Sequence, residues 1–137
     1  MRVCIDTNLL LQLFGKSRPY GRITDALQQG RLELVVSNEV LLEYEETVTH
    51  LSGPSRWQAV EMFLHAVSRL HGTVLYVEPH FRFRVITADP DDDKFADCAI
   101  AAEADFILTF DRHFDVLSAG GYKPRPMGPG EFIANHL

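Results

Sequence analysis

The strongest constraint on the fold is a series of short apolar runs separated by stretches with helical spacing. The runs at 2–5, 32–36, 73–77 and 106–109 are apolar or β-branched, and each has the length of a buried strand. Strands that alternate with helices in this way form a mainly parallel sheet, because right-handed crossovers place helices on both of its faces. The sequence therefore predicts the α/β class.

The stretches between these runs predict helices, because apolar residues recur in them at the spacing of one helix face. Four helices are predicted. The first ends near residue 29, the second spans 37–49, the third ends near 71 and the fourth spans 92–103. Gly30 and Gly72 are predicted to end the first and third helices, and Ser37 is predicted to be the N-cap of the second. Residues 78–88 fit either a short strand or an extended loop, and the residues after 111 are predicted to be a short tail.

Length and composition bound the organisation of the chain. Its 137 residues, 46% of them hydrophobic, have the usual size of one domain, so we expect a single domain over residues 1–137. No apolar run approaches the roughly 20 residues of a membrane span, and the N-terminal residues lack a signal-peptide pattern. We therefore expect a cytoplasmic protein with no membrane contact. Cys4 and Cys98 lie in apolar segments and are predicted to be buried thiols.

The net charge of −6 argues against the basic stripe by which most nucleic-acid-binding proteins hold phosphates. This argument weakens where the acids are gathered in one site and neutralised there by divalent cations. The cations then provide the local positive charge. A nucleic acid therefore remains compatible with the composition.

Three acids follow or precede predicted elements at positions that would bring them together. Asp6 and Asp111 directly follow predicted strands, and Asp92 begins a predicted helix. Each acid alone has an ordinary explanation as a turn or helix-terminal residue. In a parallel sheet, however, the carboxyl ends of the strands meet at one edge, so these acids are predicted to converge. Clustered carboxylates repel one another, and Mg²⁺ or Mn²⁺ relieves that repulsion and supports hydrolysis of a phosphodiester.

Other titratable residues are weaker candidates for this site. Glu43 lies at the border of the buried face of its predicted helix and can lean over the sheet edge, with Glu46 as its rival by spacing. The six histidines are scattered, with no two at a metal-binding spacing on a predicted helix. Only His113, two residues beyond Asp111, is a candidate for contact with a substrate.

Four segments together resemble a known family. They are IDTN at 5–8, SNEVLLEYEETV at 37–48, DPDDDKFADCAIAAEADFILTFD at 89–111 and GPGEF at 128–132. In this order they resemble the PIN domain, specifically a bacterial group described as toxin components of toxin–antitoxin systems. The resemblance spans nearly the whole chain. It implies a three-layer α/β/α fold, Mg²⁺ or Mn²⁺ in an acidic pocket, and endoribonuclease activity on single-stranded RNA.

The resemblance also implies roles for individual residues. The residues that match the four catalytic acids of the family are Asp6, Glu43, Asp92 and Asp111. Asn8 and Thr109 match the polar residues that support those acids, and Asp97 falls where this group often has a glutamate. The implied metal ligands are Asp6, Asp92, Asp97 and Asp111. Proteins of this group usually act beside a small antitoxin protein, and a homo-oligomer is also compatible with the sequence.

Helix geometry ranks the acids near position 92. At about 100° per residue, Asp92 lies on the side of its helix that faces the sheet, near Phe95. Asp93 and Asp97 are four residues apart and share the opposite face. We therefore expect Asp92 to be the third acid of the site, with Asp97 as an auxiliary ligand.

Two other function classes fit the sequence less well. A phosphatase-like α/β hydrolytic domain would need a second aspartate two residues after Asp6, where this chain has Asn8. A phosphoacceptor domain would need an aspartate after a central strand, but the run at 73–77 is followed by Glu78. A catalytically silent PIN-fold binding module stays an alternative because fold does not fix function. The presence of all four acids argues against it.

Overall fold

A five-stranded parallel sheet lies at the centre of the structure, a computed structural model that describes all of residues 1–137. The strands are β1 (Arg2–Ile5), β2 (Glu33–Val36), β3 (Val74–Tyr76), β4 (Phe106–Leu108) and β5 (Arg125–Met127). Their order is β3-β2-β1-β4-β5, and all four neighbouring pairs are parallel. The carboxyl ends of all the strands therefore lie at one edge of the sheet. The order of the strands reverses between β1 and β4, where open parallel sheets commonly carry their functional crevice.

Helices cover both faces of this sheet and complete a three-layer α/β/α arrangement. They are α1 (Thr7–Leu13), α2 (Gly21–Gln28), α3 (Asn38–Ser52), α4 (Pro54–His71), α5 (Asp93–Ala101), α6 (Val116–Ala119) and α7 (Pro129–His136). Single 3₁₀ turns occupy Pro90–Asp92 and Arg112–Asp115. The predicted fold class is confirmed. No helix has the length and apolar character needed to cross a bilayer.

The core follows from the apolar runs of the sequence. A cluster of 35 buried apolar residues fills the space between the layers, and Val3, Cys4 and Ile5 of the central strand have no exposed surface. Both thiols are buried and unpaired, as predicted for Cys4 and Cys98. Burial of side chains from both faces of β1 is expected for a parallel strand between two helical layers.

Local signals of the sequence explain several helix boundaries. The side chain of Ser37 accepts a hydrogen bond of 3.2 Å from the backbone N–H of Val40 and thereby caps α3, as predicted. Gly72 adopts a left-handed conformation with φ of 64° at the end of α4, which a side chain would disfavour. The expected stop at Gly30 also has a positive φ, of 69°. Residues 78–88 contain no strand, so the extended loop is the correct alternative of the two.

Two expectations from the sequence are incomplete or wrong. The helix α1 was not anticipated, because it spans only seven residues and its run of three leucines lacks the apolar spacing of one helix face. The prediction of a short tail after 111 is wrong, because this part contains α6, β5 and α7. The fifth strand was missed because it is only Arg-Pro-Met, and a proline is tolerated in a sheet mainly on an edge strand. The helix α7 closes the core through Phe132, whose ring lies 5.5 Å from that of Phe106.

Candidate active site

Three acids meet at the carboxyl edge of the sheet, where the strand order reverses. Asp6 follows β1 and is the N-cap of α1, and Asp111 follows β4 and caps the 3₁₀ turn behind it. Asp92 ends the turn that leads into α5. The hydroxyl of Thr109 contacts both Asp6 Oδ2 and the backbone N–H of Asp111, and the Nδ1 of His113 lies 3.3 Å from Asp111 Oδ1 and 3.6 Å from Asp92 Oδ2. The structure therefore brings together the three acids that were expected to converge.

Asp6 is the most buried acid of this group, with 5% of its surface exposed. Its Oδ1 accepts a hydrogen bond of 2.8 Å from the backbone N–H of Thr7, and its Oδ2 accepts one of 2.8 Å from the hydroxyl of Thr109. Burial raises the pKa of Asp6, and the charges of Glu43 and Asp111 raise it further, whereas these two hydrogen bonds lower it. The carboxylate is thus fixed in orientation in surroundings that penalise its charge.

Asp92 lies in surroundings that disfavour the charge of its carboxylate. Burial first, and then the charges of Asp6, Asp89 and Asp111, raise the pKa of Asp92 from 3.8 to about 6, while the nearby imidazole of His113 lowers it. Its Oδ2 is buried and has no hydrogen-bond partner, with the Nδ1 of His113 at 3.6 Å. A buried polar atom without a partner is uncommon and needs a cause. A divalent cation would satisfy this oxygen, so the residues present fit the metal that clustered acids require.

His113 and Asp89 extend the acid group toward solvent. The backbone N–H of His113 donates a hydrogen bond of 2.8 Å to Asp111 Oδ1, and its Nδ1 lies 3.3 Å from the same oxygen. Ligand atoms of Asp89, Asp92 and His113 all lie within 4.8 Å of one another. The imidazole and these carboxylates can therefore reach a common cation.

Glu43 lies beside Asp6 and is held at both of its oxygens. Its Oε1 accepts a hydrogen bond of 3.0 Å from the Nζ of Lys94, and its Oε2 accepts one from the hydroxyl of Thr7. Only 22% of its side chain is exposed, whereas its rival Glu46 is exposed on α3. The spacing argument that placed Glu43 at the border of the buried face therefore agrees with its position.

Comparison with known proteins identifies the family. The sequence pattern of the family described as PIN domain matches residues 2–113, which is well over half of the chain. The chain belongs to the PIN domain family. PIN domains are generally nucleases and typically use divalent metal ions.

A solved structure shares the fold of this PIN domain. It is described as FitAcB from Neisseria gonorrhoeae and matches with a TM-score of 0.59 at 16% identity, over 98% of this chain and 99% of that chain. At this identity the likeness shows the fold alone. Among curated proteins, none matches this sequence significantly.

Two residues singled out in the sequence lie outside the acid group of this PIN domain. Asp97 is buried, with 6% of its surface exposed, and its Oδ1 accepts a hydrogen bond of 3.0 Å from the backbone N–H of Phe83. Burial raises the pKa of Asp97, and the nearest charges that act on it are those of Asp93, Arg82 and Glu39. Its carboxylate therefore faces the loop at 78–88.

Asn8 is the second of these residues, and its side chain is exposed in the first turn of α1. The residue that supports Asp6 from this turn is Thr7 instead. Sequence reasoning missed Thr7 because it overlooked α1, and it missed Lys94 because a lysine in an acidic run has no distinctive spacing. Asp89 lies within the acidic run at 89–93, and only the fold shows that its carboxylate approaches Asp92 and His113.

Proposed function

We propose that residues 1–137 form one nuclease domain, a metal-dependent endoribonuclease that hydrolyses phosphodiester bonds of single-stranded RNA. The observation that carries this proposal is the buried, unpartnered Oδ2 of Asp92 among the charges of Asp6 and Asp111. An arrangement of this kind is costly for the protein unless a cation is held there. The membership of a family of nucleases supports the same conclusion.

In this proposal Asp6, Asp92 and Asp111 hold Mg²⁺ or Mn²⁺, because hard divalent cations prefer oxygen ligands. The bound ions supply Lewis acidity toward a phosphodiester oxygen and lower the pKa of water. The protein contributes the fixed geometry. The hydroxyl of Thr109 donates to Asp6 Oδ2 while it accepts a hydrogen bond of 2.9 Å from the backbone N–H of Asp111, so the two strand-end acids are aligned by one side chain.

Glu43 supplies a second fixed element of the site. Lys94 and Thr7 each donate a hydrogen bond to one of its oxygens, which restrains the carboxylate beside Asp6. A restrained carboxylate at this place can orient an attacking water by accepting one of its protons. Asp97 then acts as a positioning residue for the loop at 78–88, through its hydrogen bond with Phe83.

The role of a toxin is a further part of this proposal. The resemblance of the motifs to bacterial toxin components suggests that the protein cleaves cytoplasmic RNA and is restrained by a small antitoxin protein. Induced expression in a bacterial host should then arrest growth, and the Asp6→Asn variant should not. Rescue of growth by the product of an adjacent reading frame would identify the partner.

The nuclease is tested by cleavage of an end-labelled single-stranded RNA by the purified protein. We expect cleavage with Mn²⁺ or Mg²⁺, none in chelator, and loss of activity in Asp6→Asn and Asp111→Asn. The matched control is Glu61→Gln, which removes an exposed acid from α4. Circular dichroism checks that each variant is folded. Undiminished cleavage by either aspartate variant would contradict the proposal, and binding of RNA without cleavage by the wild type would favour the silent binding module.

A further inference from the structure

Residues 81–84, Phe-Arg-Phe-Arg, form an exposed segment of the loop that follows β3, and we call them the FRFR segment. The Phe81 ring is 73% exposed, and Arg82 and Arg84 are also exposed. Phe83 is only half-buried, with its ring 6.2 Å from that of Tyr122 and 6.4 Å from that of Phe81. The packing of Phe83 therefore supports the outermost ring, that of Phe81, which contributes nothing to the core.

Two carboxylates of α5 fix the backbone of this segment. Asp97 Oδ1 accepts a hydrogen bond of 3.0 Å from the backbone N–H of Phe83, and Asp93 Oδ1 accepts one of 2.9 Å from that of Ile86. Between these two anchors, Arg84 adopts a left-handed conformation with φ of 52°, which residues with a side chain rarely adopt. The surrounding contacts hold the backbone in a conformation that it would not choose by itself. The segment is thus held in one place by α5.

A polar cleft of about 560 Å³ lies between the FRFR segment and the first turns of α3 and α5. Its basic side chains are those of Arg82, Arg84 and Lys94. Its acidic side chains are those of Glu39, Asp91, Asp93 and Asp97. Asp93 and Asp97 are engaged with the loop backbone, and the ion pair of 3.3 Å between Arg82 and Glu39 is exposed and therefore weak. The guanidinium groups are consequently available to an incoming anion.

The cleft opens beside the acid group. Lys94 links the two, because it lines the cleft and donates its hydrogen bond of 3.0 Å to Glu43, which lies beside Asp6. Arg82 pairs with Glu39, which lies four residues before Glu43 and therefore about 6 Å along α3. A strand that passes through the acid group can thus reach the cleft.

We propose that the FRFR segment binds single-stranded RNA next to the bond that is cut, with Arg82 and Arg84 on backbone phosphates and an unpaired base stacked on Phe81. This inference rests on the proposed function and names the part of the protein that holds its substrate. A chain with a net charge of −6 needs local cationic groups to hold a polyanion, and these arginines provide them beside the site. Stacking on an exposed ring requires a base that is free of a duplex.

The test measures RNA binding separately from cleavage. An Asp111→Asn background suppresses hydrolysis, and the probe is a fluorescein-labelled single-stranded RNA of about 12 nucleotides, titrated in Mn²⁺ at salt concentrations from about 50 to 200 mM. The variants are the double substitution Arg82→Gln with Arg84→Gln, and the single substitution Phe81→Ala. The matched control is Arg31→Gln, which removes an exposed arginine at the amino end of β2, opposite the site.

The two kinds of contact give different results. Loss of both arginines should lower the slope of log affinity against log salt by about 1.4, since each phosphate contact with a single strand contributes about 0.7. Phe81→Ala should weaken binding by about 5-fold or more with an unchanged slope. Arg31→Gln should change neither quantity. Unchanged affinity and slope in the double variant, or an unchanged affinity in Phe81→Ala, would overturn the proposal.

Failure of this proposal can be distinguished from failure of the proposed nuclease. If the wild-type protein does not cleave RNA but the FRFR variants lose RNA binding as described, the nuclease assignment fails and the binding segment stands. If the wild type cleaves RNA and the FRFR variants bind like their parent, the nuclease stands and the binding segment fails. A melting temperature equal to that of the parent shows that the exposed substitutions have not unfolded the protein.

Discussion

The hydroxyl of Thr109 donates a hydrogen bond of 2.8 Å to Asp6 Oδ2 and so joins the ends of β4 and β1. The hydroxyl oxygen of Thr109 in turn accepts a hydrogen bond of 2.9 Å from the backbone N–H of Asp111. One side chain thus touches both strand-end acids, and it is itself buried, with 4% of its surface exposed. Because β1 and β4 are the strands between which the order reverses, this hydroxyl fixes the separation of the acids across the crevice.

Replacement of this hydroxyl should destabilise the protein and misplace the acids. Thr109→Val keeps the shape of the side chain but leaves Asp6 Oδ2 without a partner in a buried position, which costs about 1–3 kcal/mol. We expect a corresponding loss in the free energy of unfolding, measured in chelator by urea denaturation, together with weaker Mn²⁺ binding. Thr109→Ser is the control, because it retains the hydroxyl. If the valine variant unfolds at the same urea concentration as wild type, the hydrogen bond has no role in aligning the acids.

Neutralisation of one acid should stabilise the metal-free protein. Burial and the charges of Glu43 and Asp111 raise the pKa of Asp6, so its ionised form disfavours the folded state near neutral pH. In chelator, Asp6→Asn should therefore melt at a higher temperature than wild type. The difference in melting temperature between the variant and wild type should shrink as Mn²⁺ is added, because the cation stabilises only the protein with a complete set of ligands. Equal melting of the two proteins in chelator would indicate that the acids do not repel one another.

The stability of the metal-free protein should also depend on pH through Asp92. Its folded-state pKa is about 6, above the ordinary value of 3.8, so between these two values the folded protein binds more protons than the unfolded chain. The contribution of Asp92 to stability is therefore present below about pH 4 and is lost as the pH rises toward 6.

This dependence is checked by urea denaturation in chelator across that pH range for wild type and Asp92→Asn. The difference in the free energy of unfolding between the two proteins should grow as the pH rises, in favour of the variant. Mn²⁺ at saturation should remove the advantage of the variant. A difference that stays constant with pH would show that Asp92 titrates normally.

The sequence allowed the sheet edge to be predicted because the strand-end acids are adjacent in the chain to strong apolar runs. Asp6 follows a strand whose last three residues are buried, and Asp111 follows a fully buried strand, so the parallel topology alone brings them together. The pairing of Thr109 with Asp6 is different, because the two residues are 103 positions apart and nothing local signals the contact. The resemblance to a family supplied that residue.

The parts that were missed depend on long-range packing. The strand β5 has only three residues, one of them a proline, so its sequence alone does not predict a strand. It forms by pairing with β4 at the edge of the sheet. Lys94 is one cation within an acidic run, and only the approach of α3 to α5 shows that it contacts Glu43. The position of Asp97 could not be predicted from the sequence either, because its hydrogen-bond partner Phe83 belongs to a loop without periodicity.

The three acids near the start of α5 should differ in their effects on metal and on RNA. Asp92 alone shares the electrostatic field of Asp6 and Asp111, whereas the carboxylates of Asp93 and Asp97 accept hydrogen bonds from the loop that carries the FRFR segment. We expect Asp92→Asn to cause the largest loss in Mn²⁺ affinity, measured by isothermal titration calorimetry, and in cleavage rate. Asp97→Ala should cause a partial loss in cleavage, because it removes the hydrogen bond from the backbone N–H of Phe83 and so displaces the RNA-binding loop. Asp93→Asn should have little effect, because an asparagine oxygen can still accept the hydrogen bond from the backbone N–H of Ile86. A dominant loss of Mn²⁺ affinity in Asp93→Asn would reverse this ranking and place the metal on the other face of α5.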